Sequence, residues 1–113
     1  MTKKVSNKKS KKEYSLQIEG IHKDFKDFFD NNKGIIYTKV IDIFQEFKTS
    51  RKKSITLSVV AQIDNMEWDT KFNFFKNESI VLKRDILPYF ETIEDYETCQ
   101  KINNLYNDLT SSN

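Results

Sequence analysis

The chain has 113 residues, with 19 Lys and Arg against 17 Asp and Glu, one Cys, one His, two Gly and one Pro. That length fits one domain, or one domain with a tail. No apolar run approaches the roughly 18 residues of a membrane span, and no apolar stretch follows the N-terminal lysines as a secretory signal would require. One cysteine excludes an internal disulfide framework and points to a reducing compartment. The expected location is cytoplasmic, or virion-associated if the chain is phage-encoded. Hydrophobic residues make up 37%, including nine Phe, five Tyr and one Trp, which is enough for a small core. One Ala against 17 Lys, 12 Ile and 10 Asn is a coding bias expected of an A/T-rich genome.

The charge is unevenly placed. Lys3, Lys4, Lys8, Lys9, Lys11 and Lys12 crowd the first twelve residues, which contain no acid, and the remainder has 13 bases against 17 acids. An acidic body with a basic arm follows: a disordered arm over 1–14, one domain over 15–110 and a frayed tail over 111–113. The arm reads either as a solubilising terminus or as a phosphate-seeking segment for nucleic acid.

Ile21, Phe25, Phe28 and Phe29 recur at helical spacing and predict a helix over 19–31, ended by the C-cap signal Asn31-Asn32-Lys33-Gly34. Ile36, Val40, Ile43, Phe44 and Phe47 predict a second helix, although the β-branched richness of 35–43 also admits a strand. After the link Arg51-Lys52-Lys53 the period changes to two. Ile55, Leu57, Val59, Ala61 and Ile63, then Met66, Trp68, Thr70, Phe72 and Phe74, alternate with other residues around Asp64-Asn65, which predicts a β-hairpin with one apolar face. Ile80, Leu82, Ile86, Leu87, Phe90 and Ile93 predict a helix kinked or broken near Leu87 by Pro88, and Cys99, Ile102, Leu105, Tyr106 and Leu109 a final one. The expected fold is α+β: two N-terminal helices, a central antiparallel hairpin or small sheet, and a C-terminal helical hairpin. The core set comprises Phe25, Phe28, Ile36, Val40, Phe44, Leu57, Val59, Trp68, Phe72, Leu82, Phe90, Ile102 and Leu105.

Residue chemistry argues against an enzyme. His22 and Cys99 have no partners for a zinc site or a Cys–His pair, and no Gly-rich phosphate loop or Ser-centred elbow appears. His22 is read as a surface residue and Cys99 as a buried hydrophobe. No catalytic residue, metal or cofactor is expected. Two binding sets remain. Glu91, Glu94, Asp95 and Glu97 lie in a stretch without a base between Arg84 and Lys101, a corner suited to a basic partner protein. Arg51, Lys52 and Lys53 with the arm lysines form the alternative, a nucleic-acid-binding set, in which the hairpin aromatics stack only if exposed. A two-stranded sheet would leave unpaired edges that a homodimer could cover.

Asp95-Tyr96-Glu97-x-Cys99-x-x-Ile102-x-x-Leu105-x-x-x-Leu109 resembles the second helix of a UVR-type hairpin, with 80–93 as the first helix. Members of that family read Asp-aromatic-Glu followed by aliphatic residues on one face, and they mediate protein–protein contact. Cys99 and Gln100 replace the family's paired alanines, Asn103 its arginine, and Pro88 interrupts the first helix. The chain as a whole also resembles small Lys/Asn-rich phage proteins. The expectation is a small non-enzymatic interaction or regulatory protein, phage- or mobile-element-encoded, docking a partner protein through its acidic C-terminal hairpin.

Overall fold

A computed structural model describes residues 14–111. The chain runs β1 (Tyr14–His22), α1 (Phe25–Thr49), β2 (Ser54–Ile63), β3 (Met66–Phe75), a 3-10 turn (Lys76–Glu78), a π turn (Leu82–Ile86), α2 (Leu87–Thr92) and α3 (Tyr96–Ser111). The class is α+β, but the expected order is overturned: a strand opens the fold, and one long helix stands where two were expected. β1 lies parallel to β2, with Tyr14 opposite Leu57 and His22 opposite Ile63, and β2 pairs antiparallel with β3, so the sheet order is β1-β2-β3.

The strand has a local cause. Tyr14, Leu16 and Ile18 alternate with Ser15, Gln17 and Glu19, and the alternation places the first set toward the core. Ile21, read as the first residue of a helical stripe, instead belongs to a strand whose register shifts between Gln17 and Ile21, and it is left exposed. Gly20 sits in that irregularity at φ +96°, a conformation that a side chain would strain.

α1 starts six residues later than expected, at Phe25. Asp24 is its N-cap, with Oδ1 accepting from the Asp27 N–H at 2.8 Å, while Asp27 Oδ2 accepts from the Lys23 N–H at 3.1 Å. The expected stop at 31–34 is a kink rather than an end. Asn32 has φ −130° and ψ 17°, and its side-chain amide donates to the Phe28 carbonyl at 2.8 Å. That carbonyl would otherwise serve the helix ladder, so the amide bends the helix without ending it. Gly34 is closely packed: a Cβ there would stand 3.1 Å from Tyr89 Oη, and the phenol would have to give way by a few tenths of an ångström.

His22 is buried, against the expectation of a surface residue. Its ring meets Phe28 edge to face at 5.3 Å, Nδ1 lies 3.2 Å from the Gln62 carbonyl, and Nε2 lies 3.3 Å from the Asn32 amide nitrogen. The end of β1 is thereby fastened to β2 and to the kink of α1.

The hairpin read from alternation is present, closed by Asp64 and Asn65 with both φ positive, as a two-residue type I′ turn requires. Ile55, Leu57, Val59, Ala61 and Ile63 are buried beneath α1 and the π turn. The opposite face of the sheet is polar, with Thr56 Oγ1 donating to Asn73 Oδ1 at 2.7 Å. α1 packs on β1 and β2 and, from its other side, on α3, which also lies across α2 and the π turn. Phe44, Phe47, Ile43, Leu82 and Ile102 are fully enclosed at this junction.

Of the expected core, Phe25 and Phe72 prove exposed and Ile36 and Trp68 partly buried; Ile41, Ile43, Phe47 and Ile86 are among the buried residues the expected set lacked. Pro88 occupies the first turn of α2, where its missing N–H costs nothing, and the preceding turn widens to a π turn closed by Leu87 N–H to the Leu82 carbonyl. Cys99 is buried on α3. Burial foremost, then the nearby Glu91 and Asp95 carboxylates, pushes its thiol pKa up, so it is a poor nucleophile.

Candidate interaction surfaces

The acidic set gathers where α2 meets α3, and the joint is built from backbone hydrogen bonds. The Asp95 N–H donates to the Phe90 carbonyl at 2.9 Å and the Glu94 N–H to the Glu91 carbonyl at 3.0 Å. This pair is a Schellman motif, with Glu94 at the left-handed position that glycine ordinarily fills. Glu94 holds φ +59°. Asp95 then caps α3 immediately: Oδ1 accepts from the Thr98 N–H at 3.2 Å and Oδ2 from the Thr98 hydroxyl at 2.8 Å. A single residue thus separates the C-cap of one helix from the N-cap of the next.

The four acids consequently differ. Glu91, Glu94 and Glu97 are exposed, whereas Asp95 is half-buried with its carboxylate engaged in the cap. Between them the joint exposes two large apolar residues, Ile93 at 52% and Tyr96 at 66%. Ile93 also forms one wall of a groove between α1 and α2, about 500 Å³, whose other wall is Ile35 at 53% exposure and which Leu16 and Phe90 also line. Sequence reasoning found the acids and missed Ile35, Ile93 and Tyr96 as surface residues. Ile35 carried a signal, since it lies off the apolar stripe of its helix.

The basic set divides. Lys3, Lys4, Lys8, Lys9, Lys11 and Lys12 lie outside the described residues. Lys52 pairs with Glu46 at 3.3 Å, and Lys48 with Asp108 at 2.8 Å, while Arg51 and Lys53 are exposed and make no ion pair among the described residues. Tyr14, the first described residue, stands at this same end and donates its hydroxyl to Glu46 Oε1 at 3.1 Å. Burial first, then that hydrogen bond and the Glu46 charge, push the Tyr14 pKa up to about 12. Tyr14 and Lys52 thus share Glu46 as a partner. Ile35 and Lys48 are separated by on the order of 20 Å of helix, so the acidic and basic ends are distinct.

The hairpin aromatics do not join the basic residues. Trp68, Phe72 and Phe74 share the inner face, where Trp68 meets Phe25 at 5.4 Å and Phe74 meets Phe44 at 6.3 Å, and Lys71 projects from the other face. Phe72 and Phe74 also line an apolar cavity of about 310 Å³ between the sheet, α1 and the π turn. Its polar lining groups are Asp85, in an ion pair with Arg84 at 2.9 Å, and Tyr37, whose pKa is raised by burial first and by Asp85 second. Nothing there pairs a nucleophile with a base. Among the described residues, no three His, Cys, Asp or Glu side chains stand close enough to share a metal ion. No helix of the described residues is long and apolar enough to cross a membrane. No protein-family model matches the chain, and no curated protein or solved structure shows significant similarity to it.

Proposed function

We propose that this protein is a non-enzymatic docking module that binds a basic, amphipathic segment of a partner protein at the α2–α3 joint. The observation that carries this reading is Glu94. A glutamate occupies a left-handed position where the conformation costs about 1–2 kcal/mol for a residue with a Cβ, and glycine would relieve it. Local rules of this kind are broken most often at functional sites. Here the departure places a third exposed carboxylate beside Glu91 and Glu97 and around Ile93 and Tyr96. Apolar anchors flanked by carboxylates, with Lys39 the one base among the described residues lining the Ile93 groove, suit a segment carrying aliphatic residues on one face and Lys or Arg at its margins. The resemblance of 80–109 to UVR-type hairpins, which mediate protein contact, agrees with this use.

The test is fluorescence anisotropy of a labelled Lys/Leu amphipathic helix against the full chain. Binding should be saturable, weaken with salt, and fall at least tenfold in Ile93→Ser and in Glu91→Lys/Glu97→Lys. A wild-type chain that ignores the peptide, or variants that bind as well as wild type, would refute the reading.

A second reading rests on the exposed Arg51 and Lys53 beside Lys52, together with the run of lysines that precedes Tyr14 in the sequence. In that reading the protein is a nucleic-acid accessory factor acting through phosphate contacts. Its mark is a log–log salt slope of about −0.9 per phosphate neutralised on duplex DNA, lost on removal of residues 1–12.

A further inference from the structure

The sheet has two edges, and they are not alike. β1 is broken by the register shift and by Gly20, the kind of irregularity that blunts an edge against further pairing. β3 is regular over ten residues and contains no proline or bulge. Its turn makes Ile63 and Met66 the first hydrogen-bonded pair, so Trp68, Thr70, Phe72 and Phe74 direct their backbone groups toward β2. Glu67, Asp69, Lys71 and Asn73 direct theirs outward, where no described residue meets them. The Phe75 N–H, next in that row, donates to Glu78 Oε1 at 3.3 Å and closes the edge at its C-terminal end.

We propose that β3 pairs antiparallel with β3 of a second copy of this chain, about a two-fold axis at Thr70, giving a continuous six-stranded sheet. That register is the self-complementary one. It sets Asp69 opposite Lys71 of the partner subunit, and the reverse, on the polar face, with Glu67 opposite Asn73. Moving the axis to Asp69 or Lys71 sets like charges against each other, and moving it to Trp68 sets Glu67 against Asp69. On the inner face the same register pairs Trp68 with Phe72 and Met66 with Phe74 across the axis. Met66 and Phe72 are 68% and 39% exposed in the single chain, so the pairing covers apolar surface that the monomer leaves in water. α1 reaches the inner face of β3 at Trp68, through Phe25 and Phe28, and at Phe74, through Phe44, while Met66 and Phe72 stay exposed for the approach.

The experiment is sedimentation equilibrium of the full chain across the micromolar range, since one strand pair with an aromatic rim falls at the small end of stable interfaces. Wild type should shift from one to two chain masses with rising concentration. Asp69→Lys and Lys71→Asp should each sediment as monomers, and an equimolar mixture of the two should recover the dimer, because each restores the charge that the other lacks. A wild-type monomer at several hundred micromolar, a dimer indifferent to both reversals, or variants that fail to recombine would overturn the proposal. If either reversal unfolds the chain, amide exchange of wild type decides instead. The N–H groups of Glu67, Asp69, Lys71 and Asn73 should become protected as concentration rises, and free exchange at every concentration would overturn the proposal. The acidic joint takes no part in this interface, so the two ideas fail separately.

Discussion

Replacing Glu94 with glycine should make the protein more stable and its proposed docking weaker. The stability change follows from the backbone. At φ +59° a residue with a Cβ gives up about 1–2 kcal/mol, while glycine restores about 0.5–1 kcal/mol of unfolded-chain entropy. The net gain is on the order of 0.5–1 kcal/mol, provided the Schellman bonds from Glu94 to Glu91 and from Asp95 to Phe90 persist. In a domain of this size that gain corresponds to a rise in Tm of roughly 2–8 °C. Thermal unfolding followed by circular dichroism measures it, and anisotropy with the Lys/Leu helix measures the loss of one carboxylate. Glu94→Asn is the companion variant, since Asn tolerates the left-handed region and also lacks the charge. A melting temperature that falls, or one that rises while peptide affinity stays unchanged, would show that the carboxylate was not kept for binding.

Asp95→Ala should lower stability by about 1–2 kcal/mol by removing the cap of α3, whereas Asp95→Asn retains an acceptor for the Thr98 N–H and should lose less than half as much; urea unfolding compares the two. Gly20→Ala forces a side chain into φ +96° and should cost about 1–3 kcal/mol in the same assay. Phe47→Ala empties a fully enclosed site and should cost about 3–5 kcal/mol, enough to leave much of the chain unfolded near 37 °C. Tyr14 has its folded pKa raised to about 12, so its contribution is complete below the ordinary tyrosine range near 10 and is lost as pH rises through 12. Absorbance of tyrosinate should therefore show a late rise whose amplitude falls by one tyrosine in Tyr14→Phe, and an unchanged amplitude near pH 12 in that variant would contradict the assigned burial.

Much of the architecture is written locally. The period-two runs at 55–63 and 66–74, with Asp64-Asn65 between them, specify a hairpin because alternation and a left-handed turn are properties of neighbouring residues. The stripe Cys99, Ile102 and Leu105 specifies α3 and the burial of its thiol for the same reason. The acids at 91–97 were legible as a charge run, and Arg51, Lys52 and Lys53 as a basic link. What chain neighbours do not encode is pairing across distance. Residues 14–22 carry a strand pattern as well as the start of a helical one, and the choice falls to a parallel partner some forty residues away, reached only after α1 folds back. Asn31-Asn32-Lys33-Gly34 carries stop signals, yet the helix continues with a kink because Asn32 satisfies both Phe28 and His22, and Gly34 admits Tyr89. The buried His22, the left-handed Glu94 and the exposed Ile93 and Tyr96 are likewise outcomes of packing. Sequence alone determined the hairpin, the final helix and the two charged segments; tertiary contact decided which strand begins the sheet, which helix bends, and which apolar side chains remain in water, because each depends on what other parts of the chain cover.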